Sequence, residues 1–195
     1  MSQTATAEPL DNPEPGMPDL GELPTWDLGD LYPGQDSDAL KADLDRMEKA
    51  SKDFHRSYNG KLADLDGAQL GSAVSQYEEI DETLSRIMSY AHLVYAGDMN
   101  DPNVGKFFQG IQERVNGIST HLLFFTLELN RLDDAVLAAK MKSPELAKYA
   151  PWLRDIRVFR PHQLSDELER LLHEKYVVGR AAWNRLFDET IAGLR

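Results

Sequence analysis

The feature that most constrains the fold is the spacing of apolar residues between Asp101 and Asn130. They recur at alternating steps of four and three, at Val104, Phe108, Ile111, Val115, Ile118, Leu122, Phe125 and Leu129. This period places all of them on one side of an α-helix. The helix begins with the cap Asp101 and with Pro102, whose missing N–H costs nothing at the first helical position. The pattern therefore predicts one long amphipathic helix.

Glycines interrupt this predicted helix at Gly105, Gly110 and Gly117. Each costs about 1 kcal/mol relative to alanine in a helix interior. We expect close packing against a neighbouring helix to compensate.

Two more long helices precede it. The first follows the possible caps Asp36, Ser37 and Asp38 and stops at Asn59-Gly60. Its apolar stripe is Leu40, Leu44, Met47, Ser51, Phe54 and Tyr58. The second opens near Asp66 and ends at Gly97-Asp98. The polar Asp81 interrupts its apolar spacing, and the neighbouring Ile80 can fill that position. Its stripe is Leu70, Val74, Tyr77, Leu84, Ile87, Ala91 and Val94.

The remainder predicts shorter helices: Asp133 to Met141, a piece from Ser143-Pro144 toward Tyr149, and a connector between Pro151 and Pro161. Ser165 caps a last segment. Its apolar positions are Leu168, Leu172, Tyr176, Gly179, Trp183, Leu186 and Ile191. No convincing strand pattern or internal repeat occurs. We predict an all-α fold, an elongated multi-helix bundle of long antiparallel helices.

The chain divides into a tail and a helical domain. Five of the first 24 residues are proline and large apolar side chains are sparse, which predicts that residues 1–22 are disordered. This stretch also has no features of a secretory signal. Residues 23–195 form the predicted helical domain.

The net charge of the chain limits the classes of partner that it can bind. The formal net charge is −12, which disfavours binding to nucleic acid or to anionic membranes. Because the chain has no cysteine, disulfides and thiolate zinc sites are excluded, which fits a reducing cytoplasm.

Residues His173-Glu174-Lys175-Tyr176-Val177 match the first half of the zinc-protease pattern H-E-x-x-H. That pattern needs two imidazoles four residues apart on one helix face, and Val177 has no lone pair to offer. Glu169 is four residues before His173 and would still leave a metal short of a third ligand. We therefore expect His173 to be a surface residue paired with Glu169.

No other catalytic pattern is complete. The residues three positions before the five histidines are not acidic, which argues against a di-iron bundle. Nucleophile elbows and glycine-rich phosphate loops are also absent. We expect the aromatic residues to be core or interface residues; they are Phe107, Phe108, Phe124, Phe125, Trp183 and Phe187. The sequence thus predicts no catalytic, cofactor-binding or metal-binding residue in this chain.

One stretch, WLRDIRVFRPH, is locally basic. Its Arg154, Arg157 and Arg160 leave two interpretations open. They bind an anion or a substrate carboxylate, or, as we favour, they form ion pairs with neighbouring acidic helices.

Several segments together resemble the N-terminal part of oligoendopeptidase F, a zinc metallopeptidase of the thimet-oligopeptidase-like family. The resemblance runs from about Leu23 to the end of the chain. Its segments are LPTWDLGDLYPG, FHRSYNGKLADL, RIMSYAHLVYAGDMNDP, LLFFTLELNRL, YAPWLRDIRVFRPHQLSDELERLL and GRAAWNRLFDE.

The resemblance implies a cytoplasmic enzyme that cuts short peptides in a channel between two mostly helical halves. Its zinc ligands and general base come from an H-E-x-x-H helix downstream, and no residue here matches that motif. We therefore expect this chain to be the N-terminal region that walls and caps the channel, inactive alone. Arg195 looks like a cut point, since the family continues past it.

The implied partners are the catalytic domain of the same polypeptide and, in the full-length enzyme, short peptides. Zinc is implied only for the full-length enzyme. We also expect an exposed apolar stripe where the missing half packs, and with it self-association. The alternative is a free-standing helical interaction module without catalysis, so the residues leave open whether the chain belongs to an enzyme.

Overall fold

The computed structural model describes residues 26–194, and these residues are built from α-helices and connecting turns, without a β-strand. The predicted all-α fold is confirmed. The helices are α1 Asp38–Tyr58, α2 Gly67–Gly97, α3 Pro102–Ser119, α4 Leu123–Arg131, α5 Asp134–Lys140, α6 Pro144–Ala147, α7 Ala150–Arg157, α8 Asp166–Lys175 and α9 Arg180–Ala192. A 3-10 turn, Arg160–His162, joins α7 to α8. The predicted tail, residues 1–22, lies outside the described residues, and so do residues 23–25 and 195 of the predicted domain.

Helices α1, α2 and α3 form an up-down-up bundle. Contacts between α1 and α2 run in opposite directions along the two helices: Asp43 meets Arg86, and Tyr58 near the other end meets Gln76. α3 is parallel to α1, since Arg114 pairs with Asp45 and the ring of His121, just beyond α3, lies against that of His55. With 31 residues, α2 is about 45 Å long and forms the central support.

The capping residues predicted from the sequence explain where α1 and α2 begin and where α1 ends. The Ser37 side chain accepts a hydrogen bond from the Leu40 N–H, and Asp66 and Gln69 form a reciprocal capping box. After α1, Gly60 has a φ of 76°, a conformation that glycine adopts without strain. The predicted stripes of α1 and α2 face the core, and Ile80 fills the gap beside the exposed Asp81.

An aromatic cluster ties the bundle to the shorter helices. The Phe125 ring of α4 lies 5.0 Å from Phe54 of α1 and 5.0 Å from Tyr77 of α2, measured between centroids. Trp152 of α7 packs 5.6 Å from Tyr77. Such ring pairs stabilise beyond their area burial alone. Burial raises the pKa of Tyr77 to about 12. The cluster fixes α4 and α7 on the bundle.

The prediction of one helix across Val104–Leu129 is wrong in its middle. α3 ends at Ser119, and a turn over Thr120–Leu122 precedes α4. Both hydroxyls at this break, those of Ser119 and Thr120, donate to the carbonyl oxygen of Asn116. Hydroxyls that bond to nearby carbonyls compete with the helix ladder, which explains the break.

The expected close packing of the α3 glycines is also not found. A Cβ on Gly110 or Gly117 would meet nothing within 4 Å, and one on Gly105 would meet only a side-chain oxygen of Glu189 at 3.9 Å. The close approach occurs on α2 instead. A Cβ on Gly71 would lie 2.6 Å from the backbone carbon of Glu145, so α6 lies directly on this glycine.

Candidate functional site

Large apolar side chains that remain exposed are concentrated at the end of the described chain. Of the fifteen within residues 26–194, all but Trp26 and Val136 lie between Val158 and Leu194. Eight of them form what we call the α8–α9 face: Leu168, Leu171, Leu172, Tyr176, Trp183, Leu186, Phe187 and Ile191. Trp183 is 71% exposed and Phe187 is 64% exposed. Exposed apolar surface on this scale marks an interaction site.

The face points outward because α9 turns a more polar side toward the bundle. The groove between α9 and the α2–α3 pair is lined by Tyr95, Gln112, Arg185 and Asp188, among others. Within residues 26–194, the Tyr95 hydroxyl, Gln112 Oε1 and Arg185 Nη1 are buried without a hydrogen-bond partner. Burying unpaired polar atoms is unfavourable, so these three atoms make the contact less favourable than an apolar one of the same size.

Helix α8 is anchored by a contact that differs from the predicted one. His173 Nε2 lies 3.1 Å from Ser119 Oγ and 3.2 Å from the Asn116 carbonyl oxygen, at the break after α3. Glu169 accepts instead from the Leu164 backbone N–H at 2.8 Å. The predicted His173–Glu169 pair is therefore wrong, because a tertiary partner satisfies the imidazole.

The H-E-x-x-H half-match spans the end of one helix and the turn that follows it. α8 ends at Lys175, and a turn over Tyr176–Gly179 separates it from α9. Val177 is buried, 6% exposed, and works as an apolar anchor at this turn. Across residues 26–194, no group of three or more His, Asp or Glu residues is placed to hold a metal ion. The absence of site residues stays a prediction.

The other histidines are spread over the fold. His55 and His121 are in contact, with ring centroids 6.1 Å apart. Burial and the neighbouring His55 lower the pKa of His121, which favours the neutral imidazole. His92 lies against Phe108, with centroids 6.0 Å apart. Neither arrangement brings a carboxylate base to a nucleophile.

The basic stretch forms ion pairs, as the favoured interpretation predicts. Arg157 donates to the carbonyl oxygens of Leu129 and Leu132 and to Asp134, and Arg160 also pairs with Asp134. The hydrogen bond from Arg157 and the charge of Arg160 lower the pKa of Asp134. Arg154 pairs with Asp155 at 2.7 Å. Arg157 and Arg160 thus bind α4 and α5 to the connector, whereas the Arg154 pair lies within α7.

A mostly apolar cavity of about 560 Å³ lies between α4, α7, the 3-10 turn and α8. Leu127, Ile156 and Phe159 provide apolar walls, and Asn130 and Gln163 contribute amides. The sequence did not predict this cavity, because its walls come from four elements that only the fold brings together.

The aromatic residues separate into two groups. Phe108 and Phe125 are buried in the core, and Phe107 and Phe124 pack against it. Trp183 and Phe187 belong to the α8–α9 face instead.

Within the described residues, no helix is both long enough and apolar enough to cross a membrane.

Comparisons with known proteins agree on one family. The family described as Oligopeptidase F matches residues 128–195, which include the whole α8–α9 face and the part of the cavity wall from Asn130 to Glu169. Oligopeptidase PepF of Bacillus subtilis (strain 168) is 27% identical over 167 residues, which cover 81% of this chain. The chain is similar to the N-terminal region of oligopeptidase F. The resemblance predicted from the sequence is confirmed. The aligned region covers 24% of the Bacillus protein, so the chain spans about a quarter of its relative. No solved structure matches.

Proposed function

We propose that this chain is the N-terminal channel-wall and cap domain of a cytoplasmic zinc metalloendopeptidase that hydrolyses short peptides. The α8–α9 face is the observation that carries the proposal. Its eight apolar side chains cover two consecutive helices and lie inside the region that matches Oligopeptidase F. The catalytic part of the same polypeptide packs on this face.

The size of the face suits a permanent partner. Fully burying a large apolar side chain contributes about 1.5–3 kcal/mol, and these eight are roughly half to two-thirds exposed. Covering them contributes on the order of 10 kcal/mol before ordering costs. A partner in the same polypeptide is favoured because the tether raises its effective concentration.

The chemistry of hydrolysis is assigned to the other part of the polypeptide. A zinc peptidase needs ligands with lone pairs, and here His173 is held by Ser119 and Asn116 while Val177 is buried. The described residues thus do not fit the implied zinc. Our proposed role for them is to shape the channel and to exclude folded proteins by size.

The first test reads the gene past codon 195 and assays both products. We expect an in-frame H-E-x-x-H, stoichiometric zinc and chelator-sensitive cleavage of a quenched fluorescent peptide by the longer product. The 195-residue chain should show neither zinc nor cleavage. A stop codon followed by a stable, monodisperse protein would instead favour the helical interaction module. Chelator-sensitive hydrolysis by the 195-residue chain would overturn its assignment as inactive alone.

A matched pair of variants tests the face itself. Phe187→Asp lies on the face, whereas Val136→Asp places the same charge on an exposed valine of α5. We expect Phe187→Asp to change the stability of the isolated chain by less than about 0.5 kcal/mol and to reduce its self-association in sedimentation. In the longer product it should lower activity and stability, and Val136→Asp should not. Equal effects of the two variants would contradict the proposal that the α8–α9 face packs against the catalytic part.

A further inference from the structure

The cavity between α4, α7, the 3-10 turn and α8 is lined by two amides whose oxygens have no hydrogen-bond partner among residues 26–194. Asn130 is 6% exposed, and its Oδ1 has no hydrogen-bond partner. Gln163 Oε1 is also buried without one, although the Gln163 amide donates from Nε2 to the Leu127 carbonyl at 3.2 Å. Buried polar atoms are nearly always paired, so a ligand with N–H donors would satisfy both oxygens.

The charge around the cavity indicates what kind of donor fits it. Glu169, half-buried in the wall, accepts from the Leu164 N–H and makes no ion pair among the described residues. The nearby arginines are held elsewhere: Arg131 by Asp166, Arg154 by Asp155, and Arg157 and Arg160 by Asp134. Among the described residues that line the cavity, Glu169 therefore contributes a carboxylate without an ion pair, and His162 is the other ionisable side chain of the wall besides the paired Asp155.

The remaining wall is apolar. Leu123, Leu127, Ile156 and Phe159 line it, and Phe159 stands at the rim with 68% of its surface exposed. A volume of about 560 Å³ falls within the roughly 300–1,000 Å³ of small-molecule sites. A ligand that matches this wall has an apolar body as well as a donor.

We propose that this cavity binds an alkylammonium group, a primary ammonium on an apolar stem, with the stem against Leu127, Ile156 and Phe159. The three N–H bonds of the ammonium donate to Asn130 Oδ1, Gln163 Oε1 and the Glu169 carboxylate. Both oxygens are buried, so binding requires the two amides to rotate toward the ligand about their broad terminal torsions, and Gln163 then releases the Leu127 carbonyl. A carboxylate ligand is disfavoured, because the Glu169 carboxylate repels it. The proposal does not depend on the peptidase assignment.

The test is a titration of the ¹⁵N-labelled 195-residue chain with n-pentylammonium, followed by the side-chain amide signals of Asn130 and Gln163. 1-Pentanol is the neutral comparison and pentanoate the anionic one. We expect saturable shifts of both amides with pentylammonium, at least ten-fold weaker binding of pentanol, and no saturation with pentanoate. An equal response to pentanol, saturation by pentanoate, or no saturable shift with pentylammonium would overturn the proposal.

Two carboxylates on α8 provide the matched variants. Glu169→Gln keeps an acceptor for the Leu164 N–H but removes the charge, and we expect at least ten-fold weaker pentylammonium binding. Glu167→Gln removes the same charge from an exposed residue of the first turn that does not line the cavity, and binding should stay within two-fold. Equal losses in both variants would show a general charge effect and contradict the site. If Glu169→Gln does not fold, the three-probe comparison on the unmodified chain decides alone.

Discussion

Gly71 and Gly110 lie inside long helices, and the same substitution should have opposite effects at the two positions. A Cβ at Gly71 would lie 2.6 Å from the carbonyl carbon of Glu145 and 2.8 Å from its oxygen. Carbon atoms in contact normally lie about 3.5–4.0 Å apart, so the overlap is about 1 Å. Because the obstacle is backbone, no side-chain rotation relieves it. The Cβ at Gly110 would meet nothing within 4 Å.

The magnitudes follow from two effects. Replacing glycine by alanine in a helix interior stabilises by about 1 kcal/mol. Overpacking a well-packed contact costs about 1–3 kcal/mol, and α6 resists displacement because its Leu146 is fully buried. Gly110→Ala should therefore stabilise by about 1 kcal/mol, whereas Gly71→Ala should be neutral to destabilising, by up to about 2 kcal/mol.

Urea unfolding followed by circular dichroism at 222 nm measures both variants. The separation of about 1–3 kcal/mol corresponds to several degrees in Tm for a chain of this size. Equal stabilisation by the two substitutions would refute the close packing of α6 on α2.

Three further perturbations test contacts elsewhere. Arg157→Leu removes the donor to the Leu129 and Leu132 carbonyls. We expect it to lower the free energy of unfolding in urea by about 1–3 kcal/mol. An unchanged urea midpoint would contradict this role of Arg157. Burial alone would raise the pKa of Asp43, but hydrogen bonds from Arg46 and Tyr32 hold it below its usual value. A lowered pKa contributes stability above about pH 4 that is lost as the pH falls through the folded-state value, so Asp43→Asn should destabilise at pH 7 and much less near pH 3. An equal loss at both pH values would exclude the linkage. Ser165→Ala removes the N-cap of α8 and should weaken that helix by about 1 kcal/mol, seen as faster amide exchange confined to α8; unchanged exchange would show that the cap contributes nothing.

The first two helices and the start of the third could be predicted because their information is local. A stripe such as Leu40, Leu44 and Met47 specifies a face, and caps such as Ser37 and Asp66 specify where the helix begins. The break after Ser119 was not predictable from the apolar period, since that period continues through it. The hydroxyls of Ser119 and Thr120 were the local signal.

The candidate site depended on tertiary contacts that no local pattern encodes. The apolar spacing of Trp183 and Leu186 predicts an amphipathic helix without indicating which side meets the bundle. The structure directs Arg185 inward and leaves those apolar residues exposed. His173 likewise pairs with a residue 54 positions away rather than with its neighbour on the helix. An exposed apolar stripe was expected, but its place on α8 and α9 required the fold.

Labelling of a single introduced cysteine tests the central claim most directly, because the described chain supplies no competing thiol. Leu186→Cys lies on the α8–α9 face and Val136→Cys is the exposed control on α5. The maleimide reaction of each is followed by peptide-resolved mass spectrometry in the 195-residue chain and in the longer gene product. We predict that residue 186 reacts at least ten-fold more slowly in the longer product, while residue 136 reacts equally in both. Equal rates at residue 186 would contradict the claim that the rest of the polypeptide covers this face.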